Sequence, residues 1–237
     1  MEAVPYCGRA PVPSEIWTSW NTDPLLIAAL ACACATAVLM PRSVRRTYWI
    51  AGCSVVAIVF VSPLCALGSA LFAARSFHHL LLAAVAAPLL AAAFPARGRA
   101  YGLAALLTSS GVLWLWHWPA LYTLAYENHA AYWALQIGLL ASFVWFWRAV
   151  LSAVASPLSA IMLIGAGAGQ MGLLAALLTF APRPLYEVHG LASLSWGLDP
   201  LSDQQLGGLL MWVPAFFVYG LFAILAARRG FARASLT

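Results

Sequence analysis

Seven long apolar runs follow one another along the chain, separated by short segments that contain Pro, Gly or charged residues. A helix needs about 20 mainly apolar residues to cross a hydrocarbon core of about 30 Å, and the runs are of this order. They are rich in Ala and Leu and lack the two-residue alternation that a membrane β-barrel strand requires. We therefore predict an all-α fold, a seven-helix transmembrane bundle, with spans at residues 24–40, 48–67, 69–94, 100–124, 130–151, 157–180 and 204–227.

The composition agrees with a membrane protein and excludes two other classes. Apolar residues make up 64% of the 237 residues and charged residues only 8%, whereas soluble domains carry about 25% charged residues. So few charges would not cover the surface of a soluble enzyme of this size. The aromatic content of 13%, with 11 Trp, excludes disorder, which needs low hydrophobicity and high charge.

The basic residues predict how the bundle is oriented. All twelve are Arg, and eight follow spans 1, 3 and 7: Arg42, Arg45, Arg46, Arg97, Arg99, Arg228, Arg229 and Arg233. The positive-inside rule then places the N-terminus outside and the C-terminus in the cytoplasm. The chain is divided into an extracytoplasmic N-terminal segment (1–23), a seven-span membrane domain (24–227) and a cytoplasmic basic tail (228–237). The first 23 residues lack the pattern of a signal peptide, so we expect span 1 to be uncleaved.

The net charge of +5 follows from this topology, so we predict no nucleic-acid partner. The cysteines also lack a recognisable framework. Cys7 lies in the N-terminal segment, no pair has CxxC spacing, and the others lie within or at the ends of spans: Cys32, Cys34, Cys53 and Cys65. We expect small buried hydrophobic residues and no disulfide framework, with a relay for a soft metal as the alternative.

Three histidines lie inside the predicted spans at a similar depth. His78 and His79 are about ten residues into span 3, and His117 is ten residues before Glu127, which follows the outer end of span 4. Both positions are therefore about 15 Å deep. Ionisable groups in a span normally line a cavity, pair or bind a ligand, and imidazole is a common ligand for copper, zinc and haem iron. Adjacent residues point about 100° apart, so we expect only one of His78 and His79 to face His117. Either these residues form a two-point metal site, or they are core histidines bonded to carbonyl or Trp N–H groups.

The predicted spans also contain thioether and guanidinium groups. Met211, in span 7, and Met171, in span 6, are thioether candidates for the metal, although a lone Met in a span is usually core filler. Arg75 lies one turn before His79 and needs an anionic or carbonyl partner, for which Asp203 and Glu127 are candidates. It forms either a structural ion pair or an anchor for a partner's carboxylate or a haem propionate.

The sequence lacks the motifs of several other functional classes. It contains no GxSxG and no P-loop, so we predict neither a hydrolase nor a nucleotide cofactor. It also has no intramembrane carboxylate pair, which makes a secondary transporter less attractive. We therefore predict that the protein is not an enzyme.

Five segments carry more specific motifs. They are WNTDPLL (20–26), residues 62–90 with Arg75 and His79, WHWPALY (116–122), PLYEVHG (184–190) and LDPLSDQQLGGLLMWVPAFFVYG (198–220). Together they resemble the CtaG-like family of cytochrome c oxidase assembly proteins, over most of the chain. The Asp-Gln-Gln-x-x-Gly-x-x-Met-Trp string, residues 203–212, is the most specific part of the resemblance.

The resemblance implies a seven-span protein that takes part in copper insertion into the oxidase. The His-x-x-x-His motif that the family has on its third span corresponds here to Arg75 and His79, and its Trp-His-x-Pro motif contains His117. Where the family usually has a histidine pair on the fifth span, this chain has Tyr132 and Gln136. The correspondence with the family's motifs is therefore strongest for His79, His117 and the 203–212 string.

The leading hypothesis is a non-enzymatic assembly factor, or metallochaperone, in the bacterial inner membrane. It holds copper(I) between His79 and His117, with His78 and Met211 as further candidate ligands. Its expected partners are cytochrome c oxidase subunits, a copper donor protein and membrane lipids. Two alternatives stay open: a structural membrane partner or subunit of the oxidase without a metal role, and a haem-binding membrane electron carrier with His79 and His117 as axial ligands.

Overall fold

The computed structural model describes residues 4–96, 98 and 101–234. Helices make up 79% of the structure and the described residues contain no strand, which confirms the all-α prediction. The described residues do not include Arg97 and Arg99, on which the predicted orientation partly depends, or residue 100, at which predicted span 4 begins. Residues 1–3 and 235–237 also lie outside them. The helices are α1 (Pro24–Leu39), α2 (Val44–Val61), α3 (Pro63–Ala70), α4 (Phe72–Leu80), α5 (Ala87–Ala93), α6 (Gly102–Trp116), α7 (Pro119–Glu127), α8 (His129–Val150), α9 (Pro157–Thr179) and α10 (Pro200–Ala234).

In the part of the chain that the structure describes, five helical segments are long and apolar enough to cross a membrane, so the chain is a multi-pass membrane protein. They are Val44–Val61, Phe72–Ala93, His129–Val150, Pro157–Thr179 and Pro200–Phe231. Helices α1 and α6 are apolar but shorter, with 16 and 15 residues. The count of seven spans and the orientation therefore stay predictions. We call the end of the bundle that holds α3 and residues 181–199 the outer end, after the predicted topology.

A separate short helix lies at the outer end between predicted spans 2 and 3. Pro63 takes the first position of α3, and the Ser62 hydroxyl accepts a hydrogen bond from the Leu64 N–H at 3.3 Å, which caps the helix. Leu71 is extended, with φ −126° and ψ 130°, and separates α3 from α4. The predicted limits of spans 2 and 3, at residues 67 and 69, were wrong because this helix occupies residues that hydropathy alone assigns to the spans.

A π-helical segment, Leu81–Ala86, connects α4 to α5 within the third long helix. The Ala87 N–H donates to the Leu82 carbonyl, five residues back. Pro88 has no N–H for the Ala84 carbonyl, and its ring would clash with that carbonyl in a regular α-helix, which favours the wider turn. The Trp147 indole N–H donates to the Ala83 carbonyl at 2.7 Å, so α8 supplies a partner that the π segment needs.

Predicted span 4 is broken at His117. Pro119 begins α7, and Trp118 before it is extended, with φ −72° and ψ 121°, as expected for a residue that precedes proline. His117 is the C-cap of α6, where its N–H still bonds to the Leu113 and Trp114 carbonyls. Its own carbonyl is thereby free of the helix and available to another group.

Two glycines allow α10 to approach its neighbours closely. A Cβ on Gly207 would lie 2.6 Å from the Phe72 ring and 2.9 Å from the Ser76 hydroxyl of α4. A Cβ on Gly208 would lie 2.7 Å from the Ala175 carbonyl oxygen of α9. Gly207 thus brings α10 against α4, the helix that carries His79, and Gly208 brings it against α9.

Candidate functional site

His79 and His117 meet inside the outer half of the bundle. Their ring centroids are 5.6 Å apart and their planes are inclined by 86°. Both side chains are buried, with exposed fractions of 1% and 5%. The convergence of imidazoles from the third and fourth predicted spans, expected from their matched depth, is present in the structure.

The hydrogen bonds of His117 determine which of its nitrogens is free. Nδ1 lies 2.8 Å from the Leu113 carbonyl oxygen, and because a carbonyl only accepts, Nδ1 carries the proton. Nε2 therefore holds the lone pair, and it is buried without a hydrogen-bond partner among the described residues. Histidine ligands of metals are commonly held this way, with the second ring nitrogen bonded to a carbonyl.

His79 has no such partner. Both of its ring nitrogens are buried and have no hydrogen-bond partner among the described residues. The ring packs against Trp116 with a centroid distance of 4.4 Å. This arrangement differs from a core histidine bonded to a carbonyl or Trp N–H group, which was the alternative from sequence.

The other two predicted ligands, His78 and Met211, are also buried. His78 contacts the His79 ring at 5.7 Å but turns edge-on to Phe60 of α2, so it occupies a different face, as expected. Both of its ring nitrogens are also buried without a partner in the described chain. Met211 is buried in α10, one turn beyond Gly207, which packs against Ser76. Helix geometry places it at about the depth of His79.

An aromatic wall encloses the pair from the outer side. Tyr186, in the segment between α9 and α10, stacks on Phe72 at 4.2 Å, and its hydroxyl donates to the His117 carbonyl at 2.7 Å. It thus bonds the acceptor that the break at His117 leaves free. Tyr122 packs on Tyr186 at 4.5 Å and closes the same side.

His189 belongs to this wall and is fixed in one tautomer. Its Nδ1 donates to the Ser69 carbonyl at 3.2 Å, so Nε2 accepts from the Tyr122 hydroxyl at 2.6 Å. Burial, with the charge of Arg75 as a second cause, lowers the pKa of His189 to about 3. The imidazole is neutral, and both nitrogens are used by the protein, so His189 has no lone pair left for a metal.

The first two polar residues of the 203–212 string hold this end of the bundle together. The Asp203 carboxylate accepts from the Phe72 N–H at 2.7 Å and the Ala73 N–H at 3.0 Å, so it caps α4 from another helix. The Gln204 side chain accepts from the Leu185 N–H at 2.6 Å and donates to the Leu178 carbonyl at 3.3 Å.

Among the described residues, Arg75 pairs with no carboxylate. It is 4% exposed, and its Nη1 donates to the Tyr132 hydroxyl at 3.2 Å, while Nη1 and Nη2 lie 3.9 and 4.0 Å from the Cys7 sulfur. Asp203 is occupied by the α4 cap, and Glu127 is exposed. The structural ion pair, one of the two alternatives left open by the sequence, does not form among the described residues, because the backbone amides at the start of α4 bind the Asp203 carboxylate.

The expectation for the cysteines was also wrong. Cys7 and Cys65 form a disulfide, with their Cα atoms 5.2 Å apart and a sequence separation of 58. It ties the N-terminal segment to α3 at the outer end. Cys32, Cys34 and Cys53 are free.

The described residues contain no group of three or more His, Cys, Asp or Glu side chains that could hold a metal ion. A structural zinc site, which needs four such ligands, is therefore not provided for in this part of the chain. The described residues offer instead a pair of buried imidazoles with nitrogens that have no hydrogen-bond partner there, a donor type that suits zinc, copper, iron and nickel.

The family model for the cytochrome c oxidase caa3 assembly factor (Caa3_CtaG) matches residues 26–109 and 100–233. The chain belongs to this family. The resemblance read from the sequence motifs is thereby confirmed, and with it a role in oxidase assembly at the level of the family. Searches of curated proteins and of solved structures give no significant match to the chain.

Family membership gives the motifs a structural meaning in this assembly factor. The WHWPALY segment places His117 at a proline-induced helix break, and the 203–212 string caps and packs the helix of His79. Sequence reasoning missed Tyr186, which secures the break, and Trp147, which bonds the π segment. The only signal for Tyr186 was its place in PLYEVHG, and Pro88 was the only signal for the π segment.

Proposed function

We propose that this assembly factor binds one copper(I) ion between His79 and His117 and helps to insert it into cytochrome c oxidase. It acts as a carrier and not as an enzyme, in the bacterial inner membrane, with the ion near the outer face. Subunits of the oxidase are its partners, and a copper donor protein supplies the ion.

One observation carries this proposal: the buried Nε2 of His117 has no hydrogen-bond partner in the described chain and belongs to a ring 5.6 Å from that of His79. A buried polar atom without a partner costs about 1–3 kcal/mol, and His79 contributes two such atoms. A copper ion bound to both rings would satisfy nitrogens that the protein leaves unbonded. Met211 is our candidate for a third, thioether ligand, and His78 for an imidazole that takes over as the ion leaves.

The low ligand number is consistent with a carrier. A site with two imidazoles and one thioether surrounds copper(I) with fewer ligands than a closed four-ligand site, so it can release the ion to another protein. The aromatic wall formed by Tyr122 and Tyr186 covers the pair on the side of the outer end. We therefore expect transfer within the membrane to a docked oxidase subunit.

The test is copper(I) binding by the protein purified in detergent, in competition with a chromophoric chelator. His79→Ala and His117→Ala should each lower the affinity by more than about 100-fold, as expected for the loss of a ligand. His129→Ala is the matched control, since that histidine is exposed and its ring hydrogen-bonds to the Val4 carbonyl, away from the buried pair. Unchanged binding in both buried variants would contradict the proposal.

The structural-partner alternative is favoured by the lack of a third His, Cys, Asp or Glu ligand in the described residues. It predicts normal oxidase activity in cells that carry His79→Ala and His117→Ala, but not in cells that lack the protein. The haem alternative is less favoured, because the Trp116 ring packs against His79 at 4.4 Å, where a macrocycle bound between the two histidines would need room. A strong Soret band of the purified protein would establish it instead.

A further inference from the structure

The Cys7–Cys65 pair lies in surroundings that suit thiolates better than a disulfide. Hydrogen-bond donors approach both sulfur atoms: Arg75 at 3.9 Å and the Tyr132 hydroxyl at 3.4 Å from the Cys7 sulfur, and the Asn21 side-chain amide at 3.8 Å from the Cys65 sulfur. A disulfide sulfur is a weak acceptor and gains little from such donors, whereas a thiolate is stabilised by them and by a neighbouring arginine.

The charge of Arg75 gives a second reason. This guanidinium is only 4% exposed, and its hydrogen bonds within the described residues go to Tyr132 and Cys7, neither of which is a carboxylate. A buried cation without an anion is costly. One copper(I) ion bound by two thiolates carries a single negative charge, which matches the single positive charge of Arg75.

We propose that Cys7 and Cys65, once reduced, form a second copper(I) site at the outer end of the bundle. Reduction breaks the S–S bond and takes two electrons and two protons from a dithiol reductant, which becomes a disulfide itself. Copper(I) then binds both sulfur atoms and displaces the two thiol protons to solvent. The oxidised pair cannot bind the ion, so the redox state of the pair decides whether the site exists.

The geometry supports one ion shared by both sulfurs. The Cα atoms are 5.2 Å apart, which keeps two thiolates within reach of a single ion after rotation about the side-chain bonds. Cys65 is fixed at the start of α3, whereas Cys7 lies in a segment without regular structure, so that displacement of this segment opens the pair to a reductant. Soft thiolate ligands select copper(I) over harder ions.

The site would stand between solvent and the imidazole pair. Arg75 contacts Cys7 on one side and lies one helical turn before His79 on the other. Copper entering from outside would therefore reach the cysteines first. The second site does not depend on the histidines, because its ligands are separate from theirs.

The experiment uses the full chain in detergent with Cys32, Cys34 and Cys53 changed to Ser, which leaves only the outer pair. The protein is reduced with dithiothreitol, desalted without oxygen, and titrated with copper(I) against a chromophoric chelator. Reduced protein should bind one more equivalent of copper(I) than oxidised protein, and its X-ray absorption spectrum should show copper–sulfur scattering. The extra equivalent should persist with His79→Ala and His117→Ala and disappear with Cys7→Ser and Cys65→Ser, so the two copper proposals fail separately.

Arg75 provides the finer test. Arg75→Gln should lower the affinity for the extra copper(I) equivalent by about 10-fold or more, because a neighbouring positive charge favours the thiolate over the thiol. Arg75→Lys should retain part of the affinity. Equal copper stoichiometry before and after reduction would overturn the proposal. So would loss of the helical circular dichroism on reduction, which would assign the disulfide a purely structural role; this comparison requires no substitution of Cys7 or Cys65.

Discussion

The Asp203 carboxylate should contribute more to stability than its size suggests. It is 1% exposed and accepts hydrogen bonds from two backbone N–H groups at the start of α4, at 2.7 and 3.0 Å. A hydrogen bond to a charged group contributes about 1.5–3 kcal/mol, and a buried N–H without a partner is costly. We expect Asp203→Ala to lower the free energy of unfolding by about 3–5 kcal/mol, and Asp203→Asn, which keeps one acceptor, by about half as much.

Asp199 offers a matched control. Its carboxylate also accepts from two backbone N–H groups, those of Leu201 and Ser202, both at 3.0 Å. It differs in being exposed and in capping its own helix, so Asp199→Ala should destabilise the protein far less than Asp203→Ala. Denaturant titration of the detergent-solubilised protein, followed by tryptophan fluorescence, measures both. Because α4 carries His79, the copper(I) affinity should also fall in Asp203→Ala and not in Asp199→Ala.

Similar losses in the two alanine variants would refute the reasoning. Burial is the main difference between these two otherwise similar carboxylates. If Asp203→Ala were no more destabilising than Asp199→Ala, water or a rearranged backbone would be satisfying the amides of α4, and the cap would not hold the helix in place.

Three further outcomes follow from the packing. Gly208→Ala should destabilise by about 1–3 kcal/mol in the same titration, because a Cβ would lie 2.7 Å from a backbone carbonyl oxygen of α9, whereas Gly111→Ala, with open space, should cost less than about 1 kcal/mol. Trp147→Phe should cost about 1–3 kcal/mol, since the buried Ala83 carbonyl loses its indole donor. The pKa of His189 is about 3 in the folded protein and 6.5 in the unfolded chain, so the unfolded chain takes up the proton first as the pH falls. The stability present above pH 6.5 should therefore fall by up to about 1.4 kcal/mol per pH unit toward pH 3. His189→Gln should remove this slope.

The sequence predicts the helices well where burial in lipid decides the structure. Long apolar runs indicated the all-α class, and the rise per residue was enough to bring His79 and His117 to one depth, where their rings indeed meet at 5.6 Å. Pro119 was visible in the sequence, but the consequence of its break, a free His117 carbonyl that Tyr186 bonds, depends on a loop far along the chain.

The remaining features depend on contacts that no periodicity encodes. Asp203 caps a helix whose first residue lies 131 positions earlier, so its partner could not be read from its neighbours in sequence. Cys7 and Cys65 meet because the N-terminal segment crosses the outer end, a path that hydropathy does not describe. Helix α3 was merged into the spans because its residues are as apolar as theirs.

The π-helical segment Leu81–Ala86 has a consequence for comparing this chain with its relatives. Each bond of such a turn encloses one residue more than an α-turn, so the helix behaves as if one residue had been inserted within it. The side chains before this segment, such as those of Arg75 and His79, follow one helical repeat. Pro88 and the residues after it are rotated about the helix axis relative to that repeat. An alignment that runs through this helix without a gap would therefore set one of its two halves a residue out of step with a relative whose helix is regular.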